Sequence, residues 1–208
     1  MTNIPDLTTV KSYFEDRIEA HGASPRGVDW NSEFSQEIRF EQLLKICDPS
    51  IPFSILDYGC GYGALADTLA KKGFQAAYYG FDIVEKMLTT AREQHAGKSN
   101  CSFISDGNAL PVCDYVVSSG IFNYRAQISA EDWAKHIIAG LHNFNDLSRK
   151  GFSCNFLTSY SDSDHMRADL YYADPCQLFD YCKRNFSRNV ALLHDYTIYD
   201  FTILVRKG

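Results

Sequence analysis

The chain has 208 residues, 45% of them hydrophobic and 22% charged, a composition that excludes a disordered or fibrous polymer. Its formal net charge is −6, and no basic cluster exceeds Lys71-Lys72 or Arg206-Lys207, which counts against nucleic acid and favours a small-molecule or peptide partner. No stretch of eighteen apolar residues occurs, so no membrane-spanning helix is expected.

In chain order, Met1-Thr-Asn-Ile-Pro-Asp6 carries neither the basic nor the apolar stretch of a secretory leader. From Leu7 to Ala20, the positions of Val10, Tyr13, Phe14, Arg17 and Ile18 predict a helix. After the break His21–Gly27, Phe34, Ile38, Gln42 and Ile46 mark a second helix, ended by Pro49 and Pro52. Strand and helix then alternate. Strands are predicted at Phe53–Tyr58, Ala76–Phe81, Cys101–Ser105 and Val112–Ser118, with helices at Ala64–Lys72 and Val84–His95. A long helix at Ala130–Leu147, stopped by Gly151, leads to a fifth strand at Phe152–Thr158. Asp174-Pro175 opens another helix, as a cap followed by a first-turn proline. The chain closes with strands at Val190–His194 and Tyr199–Val205. A parallel crossover needs a dozen or more residues, so one of these two strands must run against the sheet.

The expected architecture is therefore an α/β, Rossmann-like sheet of seven strands, mostly parallel, with one antiparallel strand near the C-terminus. Helices cover both faces. A single domain, 1–208, divides into a helical extension or lid at 1–50 and a cofactor-binding core at 51–208. The seven cysteines show no CxxC spacing, so reduced, mostly buried thiols in a cytoplasm are expected.

The first strand feeds Asp57-Tyr-Gly59-Cys-Gly61-Tyr-Gly63 and then a helix. Glycines suit a tight turn that a ligand approaches closely, and the free N–H groups of the following helix favour polar ligand atoms. Asp82 ends the second strand, 19 residues past Gly63, where a carboxylate can accept both hydroxyls of a ribose. Gly59, Gly61 and Ala64 also satisfy the G-x-G-x-x-A pattern of dinucleotide enzymes, so a nicotinamide-dependent oxidoreductase stays open on the glycines alone. Asp57 argues otherwise, because a carboxylate there repels a pyrophosphate and suits an ammonium and a sulfonium. Asp106-Gly-Asn108 supplies a second acidic loop.

On these residues the chain resembles the class I S-adenosylmethionine-dependent methyltransferases over about 53–206. Their first motif is an acid followed by G-x-G-x-G, and their seventh strand lies antiparallel between the fifth and sixth. The resemblance implies S-adenosylmethionine as cofactor, with Asp57, Gly59, Gly61 and Gly63 around its methionine part. It also implies Asp82 at the ribose, Ile83, Asp106 and Asn108 at the adenine, and Ser119-Gly120 beside the methyl donor. An Asn/Asp-Pro-Pro-Tyr sequence is missing after the fourth strand, so exocyclic-amine methylation of a nucleobase or glutamine is not indicated. No metal site is expected.

The acceptor site is sought at the carboxyl ends of the strands. His194 is the predicted base, since imidazole titrates near neutrality, and Tyr124 and Tyr171 are expected to orient the acceptor. Tyr13, Trp30, Arg125, Tyr172 and Asp195 are further substrate contacts, with Gln36 and Arg39 beside them on the lid. The resulting expectation is O- or N-methylation of a small molecule by in-line transfer. A cofactor-binding protein without catalysis is the third reading.

Overall fold

The computed structural model describes residues 5–208; Met1–Ile4, on which part of the leader reading rests, lie outside them. Helix α1 (Thr8–His21), a 3₁₀ turn at Pro25–Val28 and helix α2 (Glu33–Leu44) precede the sheet. Strand β1 (Phe53–Tyr58), α3 (Ala64–Lys71), β2 (Ala76–Phe81), α4 (Glu85–Gln94) and β3 (Cys101–Ile104) follow. The second half comprises β4 (Cys113–Ser118), α5 (Ala130–Leu147), β5 (Ser148–Leu157), α6 (Pro175–Asn185), β6 (Asn189–Leu193) and β7 (Asp200–Arg206).

Side-chain caps fix the starts of α2, α5 and α6. Ser32 and Ser35 cap α2 reciprocally, Ser129 accepts the N–H of Asp132 at the head of α5, and Asp174 accepts those of Cys176 and Gln177 at α6. Helix α3 is different: its cap is Gly63, with φ of 84° and no side-chain acceptor.

The strands form one sheet in the order β3-β2-β1-β4-β5-β7-β6. All neighbours are parallel except β7, which is antiparallel to both β5 and β6. The carboxyl ends of β1, β2, β4 and β5 therefore share one edge.

Alternation along the strands splits the core into two layers. Ile55, Tyr78, Tyr115 and Val117 point to the face covered by α3 and by Phe40, Leu43 and Leu44 of α2. Leu56, Val116, Phe152 and Phe156 point to the other, against Trp133, Ile137, Leu141 and Phe144 of α5. Helix α2 thus packs as a layer of the core. The hydroxyl of Ser153 on β5 donates to its Leu43 carbonyl at 2.9 Å.

Gly151 plays a different part from the expected helix stop. Helix α5 ends at Leu147 and β5 starts at once. Gly151 lies inside that strand with φ of 149°, where a β-carbon would sit 2.2 Å from the Val205 carbonyl oxygen. Its lack of a side chain lets β7 pair closely beside it.

Candidate active site

The site lies where the carboxyl ends of β1, β2 and β4 meet, the usual ligand crevice of an open parallel sheet. Gly59, Gly61 and Gly63 take positive φ values of 84°, 54° and 84°, a region that L side chains avoid. Gly59 N and Cys60 N both donate to the Phe81 carbonyl, at 2.7 and 2.9 Å, lashing the loop to β2. Asp82 then ties the two loops together. Its Oδ2 accepts from Gly61 N and its Oδ1 from Val84 N, each at 2.9 Å. One lone pair per oxygen remains for a ligand.

Asp57 ends β1 almost fully buried and accepts a 2.7 Å hydrogen bond from the Tyr78 hydroxyl. Burial pushes its carboxyl up to about 7, against that hydrogen bond and with help from the Asp82 charge. Burial likewise pushes Asp82 up to about 6, against the hydrogen bonds from Val84, Gly61 and Ile83. A pocket that holds two uneasy carboxylates is matched to a cation and to hydroxyl donors.

The N-terminal segment forms the facing wall of this cavity. A β-carbon on Gly61 would meet Val28 Cγ1 at 2.7 Å, and one on Gly120 would meet the Trp30 ring at 2.4 Å. The Trp30 ring is stacked in turn by the Arg39 guanidinium, 3.9 Å from its centre. Arg39 reaches Asp200 at the start of β7 through Nε at 2.9 Å and Nη2 at 2.5 Å. Asp200 is fully buried, so the wall is anchored to the sheet by a buried, bidentate ion pair. Deeper in, Tyr62 donates to Gln36 Oε1 at 3.0 Å.

Beyond the glycines the cavity continues into an apolar chamber. Phe14, Phe122, Tyr124, Trp133 and His136 supply rings there. Tyr13 stacks on Tyr124 with centres 4.1 Å apart and donates its hydroxyl to Asp29 at 2.9 Å. Arg17 bonds the other Asp29 oxygen at 2.9 Å. Asp29, Asp57 and Asp82 are on the wall, but among the described residues no Lys or Arg lines it.

The residues expected from sequence fall into three groups. Asp57, Gly59, Gly61, Asp82, Ile83, Ser119, Gly120, Trp30 and Tyr124 all line the cavity. Gly63 stands one step behind them as the cap of α3, where a β-carbon would strike the buried His95 ring at 2.8 Å. Tyr13 backs Tyr124, and Arg39 backs Trp30.

Other expected residues lie outside the lining. Asp106 and Asn108 are exposed, and Asp106 Oδ1 accepts from the Asn108 backbone at 2.9 Å to close a 3₁₀ turn. Arg125 is spent on main-chain carbonyls of Ile128, Ala168 and Leu170, which staples two loops together. Tyr172 accepts the Arg167 N–H through its hydroxyl, and Tyr171 packs against the α5 layer. His194 and Asp195 follow β6 at the expected edge, but β7 separates β6 from β5. That insertion carries His194 out to an exposed position against Tyr160 and Phe201. Asp162, Asp164 and His165 come together in an exposed loop, where the Tyr199 hydroxyl bonds both Asp162 and His165.

His136 is among the cavity residues that sequence reading passed over. It stands on α5 between Trp133 and Gly140, and that helix reads as core. Gly140 marks the spot: a β-carbon there would meet Phe122 Cζ at 2.6 Å, so the missing side chain admits a ring to the chamber wall.

The fold and the glycine cradle define an α/β protein built around a nucleoside-bearing ligand. The family model described as Methyltransferase domain matches residues 55–143. A protein of Mycobacterium tuberculosis (strain ATCC 25618 / H37Rv) named as a methyltransferase, Rv1506c, is 52% identical over 165 residues, covering 79% of this chain and 99% of that one. The 18S rRNA (guanine-N(7))-methyltransferase RID2 of Arabidopsis thaliana is 30% identical over 136 residues, 64% of this chain and 43% of its own length. Among solved structures, the N-methyltransferase NodS from Bradyrhizobium japonicum WM9, in complex with S-adenosyl-L-homocysteine, shares the fold. Its TM-score is 0.66 at 14% identity, over 95% of this chain and 97% of NodS. The chain belongs to the class I S-adenosylmethionine-dependent methyltransferases. No described helix is long and apolar enough to cross a membrane.

Proposed function

We propose that this methyltransferase acts on a small-molecule acceptor at O or N, inside the chamber beside the glycine loop. The observation that carries this is the chamber's chemistry: aromatic walls, three carboxylates and no Lys or Arg among the described residues lining it. A polynucleotide, or a polyanionic metabolite, needs cationic side chains at its phosphates or carboxylates. The RNA substrate named for the Arabidopsis relative is therefore not carried over.

The residues present fit the cofactor. Positive-φ glycines leave the room that β-carbons would fill, Asp57 suits an ammonium, and the free lone pairs of Asp82 suit two ribose hydroxyls. Ile83, 42% exposed at the end of β2, offers an apolar contact for the adenine. The cofactor supplies an activated methyl group, so the protein's part is alignment and desolvation. Helix α1 and the segment to Trp30 serve as the lid that excludes water, with α2 as its fixed base. We read the chain as one catalytic domain. All seven cysteines are free, which supports a reducing, cytoplasmic setting.

Calorimetry tests the reading. S-adenosylhomocysteine should bind, and Asp82→Ala should weaken it by about 1–3 kcal/mol, the scale of lost charged hydrogen bonds. Tight binding of NAD with no response to S-adenosylhomocysteine would sink it.

A further inference from the structure

Among the described residues, His136 is the one histidine on the chamber wall. It is half-buried on the chamber wall, with its ring 5.0 Å from Trp133 and 5.9 Å from Phe122. Among the described residues, neither of its ring nitrogens has a hydrogen-bond partner. The large majority of buried side-chain polar atoms find a partner in the protein or in ordered water. Here His142 bonds the Tyr181 hydroxyl at 2.9 Å, while His95, with Nδ1 3.0 Å from Lys98 and a buried Nε2 without a partner, lies behind Gly63 and outside the chamber lining. As a lining residue whose ring has no protein partner, His136 is available to a polar atom of whatever fills the chamber.

The chamber restricts what that occupant can be. Its rings favour a flat apolar body. Without a lining Lys or Arg, an anionic acceptor would be buried with no side-chain countercharge beside it. A neutral amine brings its own lone pair and needs no base. A hydroxyl must lose its proton as its oxygen is methylated, and a general base serves only there.

We propose that the acceptor is an uncharged, aromatic hydroxyl compound of the phenol class, and that His136 is the catalytic base that takes its proton. The inference rests on the methyltransferase reading above. In the step, a His136 ring nitrogen accepts the hydroxyl proton while the phenolic oxygen bonds to the sulfonium methyl carbon. The carbon–sulfur bond breaks, its electron pair stays on sulfur, and a neutral thioether and an aryl methyl ether result. The imidazolium then releases its proton to solvent.

Burial holds the His136 imidazole below its ordinary value, so it is neutral and able to accept a proton at pH 7. The other titratable groups on the wall are the three carboxylates, Cys60, Tyr58, Tyr62 and Tyr124. Burial pushes the thiol and the three phenols up, keeping them neutral. Asp57 and Asp82, pushed up to about 7 and about 6, remain in any His136 variant, so their effect is separable.

The test begins with S-adenosylhomocysteine binding; its failure would overturn the methyltransferase reading and not this one. With that complex formed, adding phenol should shift the His136 imidazole resonances saturably. In turnover, phenol, 4-methoxyphenol and 4-nitrophenol should be methylated, and 4-hydroxybenzoate at least about tenfold less efficiently. His136→Gln should lower kcat on phenol about 100-fold, the low end for a lost general base, and leave KM within about threefold. The loss should shrink for 4-nitrophenol, whose proton leaves readily. With cofactor saturating at every pH, the acid limb of the wild-type kcat profile should vanish in the variant. Unmoved imidazole resonances with no phenol methylated would overturn the proposal. So would an unchanged kcat in His136→Gln, or a preference for 4-hydroxybenzoate.

Discussion

Lowering the pH from 8 to 6 should weaken cofactor binding about tenfold, because Asp57 must be charged to hold a cation. In the free protein its carboxyl is buried at the end of β1 and pushed up to about 7. A cation in contact favours the ionised form, so binding draws the titration down and releases a proton. At pH 8 about nine-tenths of the carboxyls are already ionised, and at pH 6 about one-tenth, given a midpoint near 7. The affinity ratio is therefore about ten, or roughly 1.4 kcal/mol. Affinity rises with pH up to about 7 and then flattens. Asp82, pushed up to about 6, adds no more than about a further factor of two at the acid end. The assay is calorimetry of S-adenosylhomocysteine at pH 6, 7 and 8, in two buffers of different ionisation enthalpy, which counts released protons directly. The ligand's own amino group loses charge near pH 8, so Asp57→Asn supplies the baseline. That variant should bind about 10- to 100-fold more weakly at pH 8, the scale of a lost charged hydrogen bond, and its change between pH 6 and 7 should shrink to about the twofold that Asp82 contributes. A wild-type affinity constant within twofold from pH 6 to 8, or an unchanged slope in Asp57→Asn, refutes the assignment of Asp57 to the cation.

Two further outcomes follow from the wall that faces the glycines. Arg39→Met strands Asp200, a fully buried carboxylate, and removing one partner of a buried pair costs about 3–5 kcal/mol. For a chain of this size that is a melting-temperature loss of about 10 °C, partly recovered in the Arg39→Met, Asp200→Leu double variant. A loss under about 2 °C would mean the pair does not anchor the wall. Gly120→Ala puts a β-carbon 2.4 Å from the Trp30 ring at a residue with φ of 77°. Tryptophan emission should shift to the red as Trp30 is displaced, and cofactor affinity should fall; unchanged emission would place Trp30 elsewhere.

What could be read from sequence, and what could not, divides by how local the cause is. The turn Asp57–Gly63 and the carboxylate Asp82 are legible because strand, positive-φ glycines and helix start all lie within one short segment. Periodicity and caps marked most elements to within a residue or two for the same reason. The strand order is not local. Consecutive short strands showed that one had to run antiparallel, and the family pattern already put that strand between the fifth and sixth. Following that pattern through would have moved β6 to the sheet edge and taken His194 out of reach, as the structure does. Arg125 looked available because a lone cation gives no sign of the carbonyls that will surround it.

His136 shows the opposite failure. Trp133, Ile137, Leu141 and Phe144 recur along one face of α5 and are fully buried, so the helix reads as core throughout. Core and chamber meet along that same face, however. Only the tertiary path of the Phe122 loop decides that the first turns of α5 line a cavity while the later ones do not. One local trace existed: Gly140, which costs about 1 kcal/mol inside a helix relative to alanine. A glycine placed there against propensity signals a close approach, and the approaching group is Phe122, the ring that shares the chamber wall with His136. The unfavourable glycine, rather than the histidine itself, is the feature in the sequence that points to the chamber wall.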